Sequence, residues 1–264
     1  MKKYQTLLVD IDNKIARVTL NRPEIHNAFN EVMLSELLEV CTELAEDKSV
    51  RVMVLTGAGK SFCAGADLHW MKKMISFSYE ENFADAMVLA NAMNALYSMP
   101  QPVIAKVNGS AIGGGMGLVT ACDIALAAEH AKFSLSEVKI GLVPACIAPY
   151  VIRKAGPGPC REFFLTGERL TARRAKEGGL INNYYPAEKL DEEVEALVER
   201  LITSGPNALA YAKQLIDKIP GMNWETAKRF TADMIAQLRI GPEGQEGCAA
   251  FLEKRSPEWV DKKK

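Results

Sequence analysis

The sequence predicts an α/β chain: short strands that each run through a small-residue turn into a helix, followed by an all-helical C-terminal segment. Three observations carry this. The apolar runs 51–55 (RVMVL) and 102–107 (PVIAKV) have strand length, and glycines and small residues follow each. At the N-terminus Leu7, Val9 and Ile11, then Ala16, Val18 and Leu20, alternate about the turn Asp12-Asn13-Lys14, which reads as a hairpin. From Pro186 onward the apolar residues recur at helical spacing through four successive helices. The character changes near 190–205, so residues 1–195 are expected to form the α/β core and 196–264 a C-terminal helical oligomerisation segment.

In chain order, the loop Asn21-Arg22-Pro23-Glu24 leads to Asn30, which caps a helix with Met33, Leu34, Leu37, Cys41 and Leu44 on its apolar face. Asp47-Lys48-Ser49 breaks it before strand 51–55. Residues 57–60 (GAGK) form a turn, and 61–68 (SFCAGADL) enter the next helix, with Leu68, Met71, Met74 and Ile75 on one side. The polar stretch 76–81 reads as a link to a helix over 83–96, where Met87, Met93 and Met99 read as core filler. Pro100 and Pro102 stop that helix. After strand 102–107 come Asn108-Gly109, the triple glycine 113–115 and a buried helix from Met116 to Ala121. Short strands over 123–127 and 132–135 precede a loop at 141–144 and helices over 149–155 and 159–165, the second ended by Gly167. Thr171 caps 172–177, and Gly178-Gly179 closes that helix before the polar 182–185.

The composition bounds the function. A chain of 264 residues is long enough for a substantial core, and 48% apolar with 25% charged residues is ordinary for a soluble globular protein. The formal net charge of -1 leaves no basic excess for nucleic acid, and Lys262–Lys264 reads as a solvated tail. Cys41, Cys63, Cys122, Cys146, Cys160 and Cys248 form no C-x-x-C, so reduced thiols in a cytoplasmic protein are expected. His26, His69 and His130 lack metal-ligand spacing. The opening MKKYQTLLVDID reads as a strand, not a signal peptide, and no apolar run is long enough to span a bilayer.

The chemistry concentrates in 107–118 (VNGSAIGGGMGL) and 55–68 (LTGAGKSFCAGADL). Strand, glycine turn and helix aim unpaired backbone N–H groups at a ligand, and glycine lets that ligand approach closely. The run is not G-x-G-x-x-G, and no Lys-Ser/Thr follows it, which disfavours a nucleotide loop. Two separate loops can each give one N–H, and two such donors make an oxyanion hole. Losing one donor costs about 3–4 kcal/mol of barrier.

FCAGADL at 62–68, VNGSAIGGGMGL at 107–118, CDIALA at 122–127 and FSLSEVKIGLVP at 133–144 resemble the enoyl-CoA hydratase/isomerase (crotonase) family, in order, across 10–255. The stretch SEVKIGLVPACIAPYV at 136–151, with GGGMGL, looks most like its bacterial methylglutaconyl-CoA hydratases of leucine or isoprenoid degradation. The resemblance implies a ClpP-like spiral of ββα units with C-terminal helices that build a homotrimer or homohexamer. It implies an acyl-CoA substrate, no separate cofactor, and no metal, membrane or nucleic-acid partner. The N–H groups of Ala66 and Gly114 would hold the thioester oxygen. Ala64, Asp67 and Leu68 would line the CoA site. Phe251 and Lys254 would reach the CoA adenine and phosphate across the trimer, although Lys254 beside Glu253 and Arg255 reads equally as a solvated face.

The sequence departs from the family at the acid/base. Hydratases carry two glutamates. One matches Glu137, flanked by Leu135, Val138 and Ile140 and so expected to be desolvated; the other position is Gly117. Four readings follow. The first is a hydratase of a branched, acidic acyl-CoA, with Lys139 or Arg153 pairing the substrate carboxylate. The second is a single-glutamate isomerase. The third is a decarboxylase or dehydratase relative, and the fourth an acyl-CoA binder with lapsed catalysis. His69, Glu81 and Asp85 are candidate substitute acids, but each reads more readily as an ordinary helix-surface residue. Ser110 and Ser136 lack the context of an activated nucleophile.

Overall fold

The computed structural model describes residues 2–260. The Lys262–Lys264 tail lies outside them. Strands β1 (Leu7–Asp12) and β2 (Ile15–Leu20) form the expected hairpin, in register from Leu7 opposite Leu20 to Asp12 opposite Ile15. Helix α1 (Glu31–Glu46) follows, and the Asn30 side chain accepts its cap bond from the Met33 N–H at 3.1 Å. The predicted face is buried: Met33, Leu34, Leu37, Cys41 and Leu44, joined by Val40.

Three units then repeat one geometry. β3 (Val52–Gly57), β5 (Val103–Val107) and β7 (Ile124–Ala128) lie in parallel in a six-stranded sheet. Each is followed by a short strand in a second, four-stranded sheet: β4 (Ser61–Cys63), β6 (Ser110–Ile112) and β8 (Lys132–Ser134). Helices then return the chain: α2 (Leu68–Met74) with α3 (Tyr79–Tyr97); α4 (Gly114–Ala121); and α5 (Ala148–Ala155) with α6 (Pro157–Thr166). The closing unit is β9 (Leu170–Thr171), α7 (Ala172–Glu177), capped by Thr171, and β10 (Asn183–Tyr185). The strand orders are β1-β2-β3-β5-β7-β10 and β4-β6-β8-β9. This is a spiral of ββα turns in two sheets.

Both faces of the large sheet are covered, which is why its central strands read as unbroken apolar runs. Along β3, Met53 and Leu55 face the main core with Phe62, Phe133 and Met116, while Val52 and Val54 face a second cluster. Helix α8 (Leu190–Ile202) closes that cluster with Leu190, Val194 and Val198. Residue 195 falls inside this helix. α9 (Pro206–Lys218), α10 (Trp224–Ile240) and α11 (Pro242–Glu253) complete the chain as expected.

Three local expectations differ. Residues 61–63 are a strand, because they pair with β6 some fifty residues later, and the helix starts only at Leu68. β10 forms from the polar 182–185 by pairing with β7. α2 buries Trp70 in place of the expected Leu68–Ile75 side: Leu68 is 80% and Ile75 86% exposed. Of the methionines, Met93 and Met99 are buried and Met87 is exposed. The six cysteines are free thiols; Cys146 is half-buried, Cys248 exposed and the others buried.

Candidate active site

The first loop is Ala64, Gly65 and Ala66, between β4 and α2. Phe29 makes a parallel bridge to Ala66: the Phe29 N–H donates to the Gly65 carbonyl and the Asp67 N–H to the Phe29 carbonyl, both at 2.9 Å. That pattern uses 65 and 67 and turns the N–H of Ala66 to the other side. Asp67 pins the loop from below. Its carboxylate is buried, accepts from the Arg22 guanidinium at 2.8 Å and from the His69 N–H at 2.7 Å, and caps α2. Burial raises its pKa, but the His69 amide and Arg22 outweigh burial and hold it below the usual carboxylate value. Asp67, grouped by resemblance with the CoA-lining residues, thus points its side chain inward. Ala64 and Leu68 are exposed beside it. The fully buried Asn27 donates to the carbonyls of Ala58 and Ser61, both at 2.8 Å, holding the preceding turn.

The second loop meets the first. Gly113 has φ +52 and ψ -123, open only to glycine, and its N–H donates to the Ser134 carbonyl at 2.8 Å. Gly114 is the first residue of α4, so its N–H is among those a helix leaves unpaired. The Phe29 ring packs on its α-carbon: a Cβ there would stand 2.3 Å from Phe29 Cζ. Gly65, at φ +94, faces it. A Cβ at 65 would lie 3.7 Å from the Gly114 nitrogen and 2.8 Å from the Ile112 carbonyl oxygen.

Glu137 reaches this junction from the 3-10 turn Ser136–Ile140. A Cβ on Gly113 would stand 3.1 Å from its Oε1. The Leu142 N–H holds the Glu137 carbonyl at 3.0 Å, and Oε2 is buried without a hydrogen-bond partner. Burial pushes the Glu137 pKa up, and a backbone hydrogen bond offsets only part of that. The arrangement brings the two loops that carry Ala66 and Gly114 next to one poorly solvated carboxylate, and such a junction can serve a proton transfer beside a developing oxyanion.

The position of a second carboxylate is filled. A Cβ on Gly117 would stand 2.2 Å from Ile147 Cγ2, 2.9 Å from Ile147 Cβ and 3.2 Å from Met93 Cε. Ile147 and Met93 are both buried. Gly117 is therefore the floor of a packed apolar contact, with no room for a side chain.

The remaining candidates are dispersed. Glu81 is the return partner of Ser78 in the capping box of α3, and His69 is an exposed residue of α2. Asp85 accepts from Trp70 Nε1 at 2.8 Å, and burial raises its pKa. Arg153 is held by Asp217 at 2.7 Å, whereas Lys139 makes no ion pair among the described residues. Phe251 is exposed on α11 and Lys254 ends that helix at φ +55. No group of three or more His, Cys, Asp or Glu among the described residues is placed to hold a metal ion, and none of their helices is long and apolar enough to cross a membrane. Phe29, Arg22 and Ile147, which shape the site, carry no local sequence signal; each acts through a partner distant in the chain.

The Enoyl-CoA hydratase/isomerase family profile matches residues 10–262. The crystal structure of an enoyl-CoA hydratase from Shewanella pealeana is 39% identical, with a TM-score of 0.94 and 97% of each chain covered. The crotonyl-CoA hydratase of Syntrophomonas wolfei is 31% identical over 98% of this chain and 99% of its own. The 2,3-dehydroadipyl-CoA hydratase of Escherichia coli is likewise 31% identical, over 96% and 98%. The chain belongs to the enoyl-CoA hydratase/isomerase family, the crotonase-fold enzymes that act on acyl-CoA thioesters.

Proposed function

We propose that this enzyme hydrates and dehydrates a short branched enoyl-CoA such as 3-methylglutaconyl-CoA, with Glu137 as its one acid/base. The N–H groups of Ala66 and Gly114 hold the thioester oxygen. The Glu137 carboxylate takes a proton from water as the water oxygen bonds to Cβ, and the alkene electrons move to the thioester oxygen. Glu137 then returns the proton to Cα as the carbonyl re-forms, so one water is added and the carboxylate is regenerated. The observation that carries this reading is the convergence of Gly65, Gly113, Gly114 and Glu137, with Glu137 Oε2 buried and unpartnered.

CoA enters as part of the substrate, and no further cofactor is needed. Ala64 and Leu68 line its path with Asp67 as the buried anchor beneath them, and Phe251 and Lys254 close on it from a neighbouring copy. An acidic acyl end is supported by the relative named for 2,3-dehydroadipyl-CoA, and Lys139, not the paired Arg153, suits its carboxylate. A homotrimer or homohexamer in the cytoplasm fits the apolar residues left exposed on α9–α11: Ile216, Trp224, Ile240, Phe251 and Leu252. The contact of Ile147 on Gly117 favours one second reading, an isomerase in which Glu137 shuttles a proton between carbons without adding water.

The test is mass spectrometry of CoA thioesters incubated in heavy water with the enzyme and with Glu137→Gln. The panel is crotonyl, 3-hexenoyl, 3-methylcrotonyl, 3-methylglutaconyl and 3-hydroxy-3-methylglutaryl-CoA. Gain or loss of one water on the methylglutaryl pair, absent in Glu137→Gln, supports hydration. Deuterium entry with an unchanged water count selects the isomerase. Thioesters that bind but never change overturn both.

A further inference from the structure

Gly114, whose N–H is read above as an oxyanion donor, rests on a stack that leads out of the site. Its α-carbon sits on the Phe29 ring, where a Cβ would come within 2.3 Å of Cζ. Phe29 is 1% exposed and meets Trp70 edge-on, ring centroids 5.9 Å apart at 65°. Trp70 donates its indole N–H to the Asp85 carboxylate at 2.8 Å. Four residues from four elements thus form one line: Asp85 on α3, Trp70 on α2, Phe29 before α1 and Gly114 at the start of α4.

The line matters because Trp70 is the one fully buried residue of α2: Met74 is only partly buried against the core, and Leu68, like Ile75 just past the helix, is exposed. An edge-to-face aromatic contact fixes ring orientation, not only position. Phe29 has a double part: its backbone brackets Ala66 through the 2.9 Å bonds to Gly65 and Asp67, and its ring supports Gly114. A tilt of Phe29 therefore shifts both donors relative to each other. The Trp70 N–H would, without Asp85, lose its acceptor in a mostly buried setting, and Trp70 would turn to find another.

We infer that Asp85 is a positioning residue: by holding the Trp70 indole it sets the Phe29 ring and hence the spacing of the Ala66 and Gly114 N–H groups. Its role is to accept one hydrogen bond, so a neutral acceptor replaces it. Asp85 touches no reacting atom in this account. The inference rests on the oxyanion reading of Ala66 and Gly114.

The test compares Asp85→Asn, Asp85→Leu and Trp70→Phe in the full-length enzyme. Two readouts are used: kcat against KM for the thioester that the panel identifies, and the infrared stretch of the carbonyl of bound 13C-labelled butyryl-CoA. Two engaged N–H groups lower that stretch. Asp85→Leu and Trp70→Phe are expected to lower kcat by about ten- to a hundred-fold, the scale of a sub-ångström misplacement, with KM nearly unchanged and part of the carbonyl shift lost. Asp85→Asn keeps both readouts near wild type, because its carbonyl oxygen still accepts from Trp70. The double variant Asp85→Leu/Trp70→Phe is no worse than either single one, as partners in one interaction require. Should Asp85→Leu fail to fold, Trp70→Phe against Asp85→Asn still decides. A full carbonyl shift and kcat in Asp85→Leu or Trp70→Phe overturns the inference while leaving the oxyanion hole intact. A loss in Asp85→Asn as deep as in Asp85→Leu also overturns it, since the charge is then what acts. If wild type itself shows no carbonyl shift, the oxyanion reading fails and the inference with it.

Discussion

Adding a methyl group at Gly117 tests why this site has one carboxylate. On an exposed helix, Gly→Ala stabilises by about 1 kcal/mol. Here the new Cβ would lie 2.2 Å from Ile147 Cγ2 and 2.9 Å from Ile147 Cβ, both far inside contact distance, and 3.2 Å from Met93 Cε. Ile147 has no free space to retreat into, because it is 2% exposed in the main core. Overpacking of this kind costs about 1–3 kcal/mol, so Gly117→Ala should come out net destabilising despite its helix gain. Ile147→Ala alone opens a cavity and costs about 2–4 kcal/mol. In Gly117→Ala/Ile147→Ala the new methyl group occupies part of that cavity. The double variant should be at least about 1 kcal/mol more stable than the two single losses predict. Urea unfolding of the four proteins at one protomer concentration, with m-values compared, measures this directly. Gly117→Ala at or above wild-type stability, or strict additivity with Ile147→Ala, would refute the packed-floor account and reopen the site to a side chain at 117.

Further outcomes follow from the same geometry. Glu137→Gln should lower turnover by about a hundred- to ten-thousand-fold with CoA-thioester affinity retained, checked by steady-state kinetics and isothermal titration. Because burial raises the Glu137 pKa, the acid limb of kcat/KM should sit above the usual carboxylate range. A folded pKa above the unfolded one means ionisation opposes folding, so Glu137→Gln should raise Tm at neutral pH, and that gain should fade as the pH falls through the raised folded value and be gone below the unfolded carboxylate value near 4.3. Arg22→Met should leave the buried Asp67 carboxylate unpaired and cost about 3–5 kcal/mol, whereas Arg22→Met with Asp67→Asn should recover part of it in a thermal-unfolding cycle. Gly113→Ala should strain the +52 φ and press on Glu137 Oε1, lowering kcat more than it raises KM.

What was legible in the sequence was local. Asn30, Thr171 and Gly167 act within one turn of the helix ends they mark, and each does so in the structure. The four C-terminal helices carry their own 3.6-residue pattern. The triple glycine and the A-G-A-D turn are likewise local, so both loops of the candidate site were readable. What was not legible depends on distant partners. β4 and β10 exist because β6 and β7 lie alongside them, and three residues carry too little pattern to announce a strand. Ser78 through Glu81 reads as a polar link, yet the S-x-x-E spacing is the capping box that starts α3 earlier than expected. The occupant of the second carboxylate's place is Ile147, thirty residues from Gly117, and no periodicity links the two.

The central claim is that Glu137, beside the two N–H groups, moves a proton at the carbon next to the thioester. Exchange of that proton in butyryl-CoA, a saturated thioester that can neither hydrate nor isomerise, isolates the step. Proton NMR in heavy water should show deuterium entering Cα with wild type and the rate falling at least about a hundred-fold in Glu137→Gln, the lower end expected for loss of a general base. Exchange at the wild-type rate in Glu137→Gln, with the thioester still bound, would contradict the account.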